Sequence, residues 1–344
     1  MRRSRGAAAL AGAGLSLVLL ACTAGPPTPS SSGRSTDRPT VSAAPASPVP
    51  SPRSPESDRR SSPTPRTQRS PSPAPPARFD ARRAVRDIER LAEDIGPREA
   101  TSRNFAEAAD LVAGRFADLG YDVRRTRVRV PAGSSWGVPV RRGTSQNVIA
   151  EPPGFDAEED HVVIGAHLDS VAVAPGAEDN ASGVAVLLEL ARLVRRQPPG
   201  LPVQLIAFGA EEPRGQGDAL HHFGSQQLVA GLSRAERRSI VAMVSLDRVG
   251  VRAGYVPVCR AGPRGTALRA DLRASGRRAQ VTTRGCQNTS SDHWSYQKVG
   301  VPAVRIGSVP YAGYHTRGDL VSVIDRRQVD RVGWLIWTWL SGLD

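Results

Sequence analysis

Apolar positions recur at two periods over residues 79–344. Between 80 and 94, Val85, Ile88 and Leu91 stand three apart, a helical spacing that Gly96-Pro97 ends. A second amphipathic helix is predicted over 104–119, with Ala106, Ala109, Leu111, Val112 and Phe116 largely on one side and Gly120 as its stop. Residues 121–130 alternate as a strand does, and apolar runs follow at 147–150, 161–166, 203–208, 240–246 and 303–306. Between two of these runs, 183–194 reads as a strongly apolar helix. Strands alternating with helices predict an α/β domain whose sheet is mixed, mostly parallel, with helices on both faces. In such sheets ligands bind beyond the carboxyl ends of the strands, so chemistry is expected there.

The chain before residue 79 shows neither period. Residues 6–20 are apolar behind Arg2, Arg3 and Arg5, a secretion-signal pattern too short and too rich in Ala and Gly for a good membrane span. Its end, Leu19-Leu20-Ala21-Cys22, resembles the lipobox of bacterial lipoproteins. That resemblance implies cleavage after residue 21, lipidation of Cys22 and a chain lipid-anchored at the extracellular face of the cell membrane; an ordinary signal peptide with a chance cysteine is the plainer alternative. Residues 22–78 are dominated by Pro, Ser, Thr, Ala and Arg. Such a segment cannot bury enough apolar surface to offset its ordering entropy, and a disordered linker is expected. The organisation is therefore 1–21 signal peptide, 22–78 linker and 79–344 folded domain.

The formal charge of +13 raises the question of nucleic acid. Eleven arginines against three acids precede Phe79, which leaves 35 basic and 30 acidic residues in the domain, a net +5. That is an ordinary surface, and no nucleic-acid partner is expected. Of the three cysteines, Cys259 and Cys286 are the pair inside the domain. An exported compartment permits a disulfide between them, and two buried free thiols are the alternative.

Residues able to bind metal stand at one strand end after another. His167 and Asp169 close the run that begins at His161, and Glu178-Asp179 leads into the apolar helix. Glu211-Glu212 follows the run at 203–208, Asp247 ends the run at 240–246, and Tyr314-His315 follows the last one. Each alone is more simply a turn former, a helix cap or a satisfied core histidine. Together, two histidines and three carboxylates are ligands that zinc accepts, and three anions offset most of the charge of two divalent ions.

On these residues the chain from about 79 to the C-terminus resembles the M28 family of co-catalytic zinc aminopeptidases, Ile95-Gly96-Pro97-Arg98 included. The resemblance implies a zinc-dependent exopeptidase fold of the phosphorylase/hydrolase-like kind and two Zn2+ per chain. His167 and Asp247 would hold one ion, Glu212 and His315 the other, with Asp179 between them. It further implies Glu211 as general base, Asp169 as acceptor of the free ring N–H of His167, and Tyr314 either as a hydrogen-bond donor to the oxyanion or as a packing residue. The substrates implied are peptides with a free N-terminus, and a monomer is expected.

Two features depart from the family pattern: the insertion at 213–223, which contains His221 and His222, and Arg248, where an apolar residue is expected. Arg248 either biases the site towards acidic substrates or faces a buried acid. Ser291-Asp292-His293 resembles a motif that supports the substrate pocket, His161 is expected at the surface, and Trp334, Trp337 and Trp339 are expected to dock a last helix on the sheet. Two other functions stay open: glutaminyl cyclisation, which this fold performs with a single zinc, and a non-catalytic surface lipoprotein.

Overall fold

The computed structural model of the chain describes residues 77–343. The expected signal segment, Cys22 and nearly all of the linker lie outside them. Ten strands occur among the described residues: β1 (Asp122–Val130), β2 (Gly133–Ser135), β3 (Val138–Val140), β4 (Gly143–Glu151), β5 (His161–His167), β6 (Val203–Phe208), β7 (Ile240–Leu246), β8 (Val256–Arg260), β9 (Thr283–Gln287) and β10 (Ala303–Ile306). The helices are α1 (Ala81–Glu89), α2 (Arg103–Asp118), α3 (Ser182–Arg196), α4 (Phe223–Gly231), α5 (Arg234–Ser239), α6 (Thr266–Arg278), α7 (His293–Lys298) and α8 (Arg326–Leu340).

Eight strands form one sheet in the order β1-β4-β6-β5-β7-β10-β8-β9, while β2 and β3 make a separate hairpin. The centre, β6-β5-β7-β10, is parallel. β1, β4 and β6 pair antiparallel on one side, and β10 pairs antiparallel with β8 on the other. Central parallel strands are buried on both faces and so read as unbroken apolar runs, as 161–166 and 203–208 do. Alternate residues still part company. Val162, Ile164 and Ala166 join the core under α1, α2, α3, α6 and α8, whereas Val163, Ile206 and Met243 join a second core that includes Val229 of α4 and Tyr296 of α7. Helices therefore cover both faces, as expected.

Local signals set the element ends. Asp80 caps α1 by accepting from the backbone N–H of Arg82 and Arg83, and Ser102 caps α2 by accepting from that of Phe105. The first helix continues past Glu89 in wider π-type turns over Arg90–Ile95. Gly183 is required where α3 begins, because a Cβ there would lie 2.4 Å from the Leu246 carbonyl oxygen. Trp337 and Trp339 are buried in the main core, and no described helix is long and apolar enough to cross a membrane. A disulfide joins Cys259 of β8 to Cys286 of β9, neighbours in register at the sheet edge. His161 differs from its expected surface position: it is buried against the Phe155 ring, with Nδ1 2.7 Å from the Glu159 carbonyl.

Candidate metal centre

The parallel strands end on one side of the sheet, and the candidate residues converge there. His167 is the last residue of β5, Asp247 follows β7, and Glu211 and Glu212 stand just beyond β6. Asp179 reaches the same point from the turn before α3, and His315 from the loop after β10. Two buried triads result, His167-Asp179-Asp247 and Asp179-Glu212-His315, each with ligand atoms within 4.8 Å of one another. Asp179 belongs to both and turns a different oxygen to each. Its Oδ1 lies 3.1 Å from His167 Nε2, and its Oδ2 lies 3.2 Å from His315 Nε2. Glu212 Oε2 is 3.2 Å from the same His315 nitrogen, and Asp247 Oδ1 is 3.8 Å from His167 Nε2.

Buried aspartates brace this end of the sheet. The Asp169 carboxylate accepts from the backbone N–H of Glu211 at 3.0 Å and of Glu212 at 3.1 Å. Asp319 holds the other acidic turn in the same way, accepting from Glu178 at 2.8 Å and Asp179 at 3.0 Å. Glu178 in turn accepts from Gly250 and Val251, which ties down the loop beyond Asp247. The fully buried Arg98 spends its guanidinium on the carbonyls of Leu91, Gly96, Leu168, Pro175 and Gly176, and so fixes the loops that carry Asp169 and Asp179.

The Asp169 arrangement corrects the expected contact. His167 Nδ1 sits 3.1 Å from the Asp169 backbone carbonyl, and the Asp169 carboxylate is 3.7 Å away. Two backbone N–H groups already occupy that carboxylate. The outcome for the ring is the same, since a proton held on Nδ1 leaves the Nε2 lone pair facing Asp179.

Electrostatics mark the cluster as one built for cations. Burial pushes the carboxyls of Glu211 and Glu212 up to about 8, against the pull of His167 and His315 respectively. Burial alone would lower the His315 imidazole, but Glu212 and Asp179 raise it to about 10. Burial raises Asp247 as well, yet Arg305 holds it at about 2. Glu212 Oε1, Asp247 Oδ1 and His315 Nδ1 are buried with no hydrogen-bond partner. Imidazole nitrogens and carboxylate oxygens at these separations, with buried polar atoms left over, fit zinc.

Further side chains crowd the cluster, and two of them, Trp136 and Arg305, were not singled out in the sequence. Trp136, at the tip of the β2–β3 hairpin, is 52% exposed and sets its ring edge-on to His315, with centroids 4.3 Å apart. Tyr314 stacks on His315 at 3.7 Å, and the Arg248 guanidinium lies 4.3 Å from the Tyr314 ring centre. Arg248 Nε also stands 3.9 Å from Asp247 Oδ1, and Arg305 Nη2 stands 2.8 Å from that oxygen without an aligned hydrogen bond. His222 Nε2 is 3.2 Å from Glu211 Oε1. Non-glycine residues with positive φ gather here too: Trp136, Ala210, His222, Arg248 and His315. Backbone of this kind persists only where surrounding structure holds it. Asp292 and His293 lie in the interior beneath, and burial pushes the Asp292 carboxyl up to about 7.

The recess over the triads has a volume of about 90 Å³ and is lined by Trp136, Glu211, Glu212, Arg248, Tyr314 and the ligand candidates. Beside it a cleft of about 540 Å³, lined by Ser134, Trp136, Pro213, Gly215 and His221, shares Trp136, Pro213 and His221 with the recess.

Known proteins resemble the chain in sequence or in fold. The chain is 30% identical over 204 residues to the aminopeptidase YwaD of Bacillus subtilis, a match covering 56% of this chain and 43% of that protein. It spans about half the length, or less, of the first curated relatives it matches. BSAP, a zinc aminopeptidase from Bacillus subtilis, superposes with a TM-score of 0.67 at 21% identity, over 76% of this chain and 94% of that one. A Bacteroides thetaiotaomicron glutaminyl cyclase also gives a TM-score of 0.67, at 19% identity, over 78% of this chain and 100% of its own. Identities this low speak for the fold alone. The profile described as Peptidase family M28 matches residues 147–340, more than half of the chain and the whole span from β4 to α8 that carries the candidate ligands, so the chain belongs to peptidase family M28.

Proposed function

We infer that the domain is a zinc-dependent aminopeptidase that holds two Zn2+ and hydrolyses the first peptide bond of substrates with a free N-terminus. One observation carries the reading: Asp179 turns one oxygen to a His167-Asp247 site and the other to a Glu212-His315 site. Zinc bound there would supply Lewis acidity to the scissile carbonyl and to the attacking water. Glu211 lies outside both triads yet lines the recess, so its carboxylate is free to take the proton of that water and pass it to the departing amine. Tyr314 stands at the mouth of the recess, where its hydroxyl can donate to the tetrahedral oxyanion. The recess volume of about 90 Å³ suits a chain end better than the middle of a peptide, and buried carboxylates facing it favour a protonated α-amine.

The same reading places the chain, as a monomer, at the outer face of the membrane through a lipid on Cys22, with residues 22–78 as its tether. Support for this comes from the signal-like start and Leu19-Leu20-Ala21-Cys22. An intact mass lacking a diacylglycerol adduct would remove the anchor from the account.

The peptidase reading is tested by amino-acid release from short peptides with free and acetylated N-termini, before and after chelation and zinc restoration. Zinc-dependent release from free N-termini alone is expected. Glutaminyl cyclisation is the second reading, favoured by the likeness to the cyclase fold. Loss of ammonia from an N-terminal glutamine peptide, with no amino acid released, would establish it instead.

A further inference from the structure

Glu211 is the catalytic carboxylate of the proposed reaction, and something must hold one of its oxygens while the other moves a proton. The insertion at 213–223 brings the chain back beside Glu211. Its neck is closed by two backbone hydrogen bonds, His222 N–H to the Glu211 carbonyl at 2.8 Å and Phe223 N–H to the Ala210 carbonyl at 2.8 Å. Within the loop, Arg214 N–H donates to the Leu220 carbonyl, and Lys298 pairs with Asp218 at 2.7 Å. The chain thus leaves at Glu211 and returns at His222, directly beside it. His222 takes a left-handed backbone with φ 52°, an uncommon conformation for a residue with a side chain. That conformation carries its ring into the recess, 3% exposed, with Nε2 3.2 Å from Glu211 Oε1.

The ring's chemistry fixes its role. Nδ1 is buried with no hydrogen-bond partner, so a proton there would be a donor without an acceptor. A neutral imidazole carries a single N–H, and the position with a waiting acceptor is Nε2, facing Glu211. The contact is not aligned as a hydrogen bond, as is common before a substrate tightens a site.

Resting on the reading of Glu211 as general base, we propose that His222 is a positioning residue, whose Nε2–H anchors Glu211 Oε1 and leaves Oε2 free to receive the proton of the attacking water. The insertion exists, on this account, to bring that donor to the base.

The test uses the full chain loaded with zinc. His222→Leu should lower kcat about tenfold to a hundredfold, the range for a hydrogen bond to a charged group, while KM and zinc content change less than about twofold. His222→Gln, which keeps an N–H donor, should recover most of the loss. Nitrogen-15 NMR of the histidines gives a measurement independent of substitution, and the wild-type His222 ring should be the neutral Nε2–H tautomer. A His222→Leu enzyme with unchanged kcat, a His222→Gln enzyme as impaired as His222→Leu, or a ring protonated at Nδ1 would overturn the proposal. Glu211→Gln assayed in parallel separates the two levels. If it loses turnover while His222→Leu keeps it, only the role of His222 falls; if Glu211→Gln keeps turnover, the reading of Glu211 falls and that of His222 with it.

Discussion

The two halves of the candidate centre have the same number of ligands and different surroundings. Around Asp179, Glu212 and His315, every ion pair among the ligand side chains joins an imidazole to a carboxylate, and among the described residues no arginine or lysine nitrogen comes within 4.0 Å of the two carboxylates. Around His167, Asp179 and Asp247, two guanidiniums crowd one ligand atom, Arg305 at 2.8 Å and Arg248 at 3.9 Å from Asp247 Oδ1. A divalent ion in that half would have guanidinium nitrogens against one ligand atom, whereas in the other half none lies within 4.0 Å of the Asp179 or Glu212 carboxylate. Ligand type alone therefore does not determine affinity; groups that touch the ligands set it as well. The Glu212-His315 half should fill first, and the His167-Asp247 half more weakly.

Substitutions test that contrast. The largest effect belongs to His315→Ala, which should abolish the tighter of two zinc-binding steps in a chelator-competition titration. Glu211→Gln should leave both steps in place and cut kcat by about 10²–10⁴-fold, the usual contribution of general acid–base catalysis; the pairing of titration with turnover distinguishes a base from a ligand. Arg305→Gln removes the charge nearest Asp247, and should strengthen the weaker step alone by about tenfold or more, within the range that neighbours of metal ligands command. Arg248→Gln should act in the same direction with a smaller effect, below about tenfold, because its nitrogen is farther away and the side chain is partly solvated. Weakening of that step by both arginine substitutions would mean that the guanidiniums orient Asp247 more than they oppose the ion.

The parts of the molecule that could be read in the sequence are those with strong one-dimensional patterns. Strands β5, β6, β7 and β10 stood out because burial on both faces leaves apolar runs that stop where the carboxyl ends begin. The ligand candidates followed from their positions just past those runs. Strands β8 and β9 did not stand out, since Pro257 and Arg260 interrupt the apolar pattern of Val256–Arg260, and β9, at the sheet edge, keeps no fully buried residue. Trp136 lies on a hairpin of two three-residue strands, far in sequence from His315, and only the fold sets it there. The bracing roles of Asp169, Glu178 and Asp319 depend on backbone N–H groups, which residue types do not reveal. Arg305 read as one more residue of a strand; its meeting with Asp247 follows from the parallel pairing of β10 with β7. Arg248 stands 3.9 Å from the buried Asp247 and also lines the recess, so each of its two expected explanations has a contact behind it.

Two ions are expected, one on either side of Asp179. Anomalous diffraction at the zinc edge, from crystals of the full chain grown with excess zinc, tests this most directly. Two peaks are predicted, one beside His167 and Asp247 and one beside Glu212 and His315, with the second the more fully occupied. A single peak at Glu212 and His315, persisting in Arg305→Gln crystals, would contradict the two-ion account and favour a one-zinc reaction such as glutaminyl cyclisation.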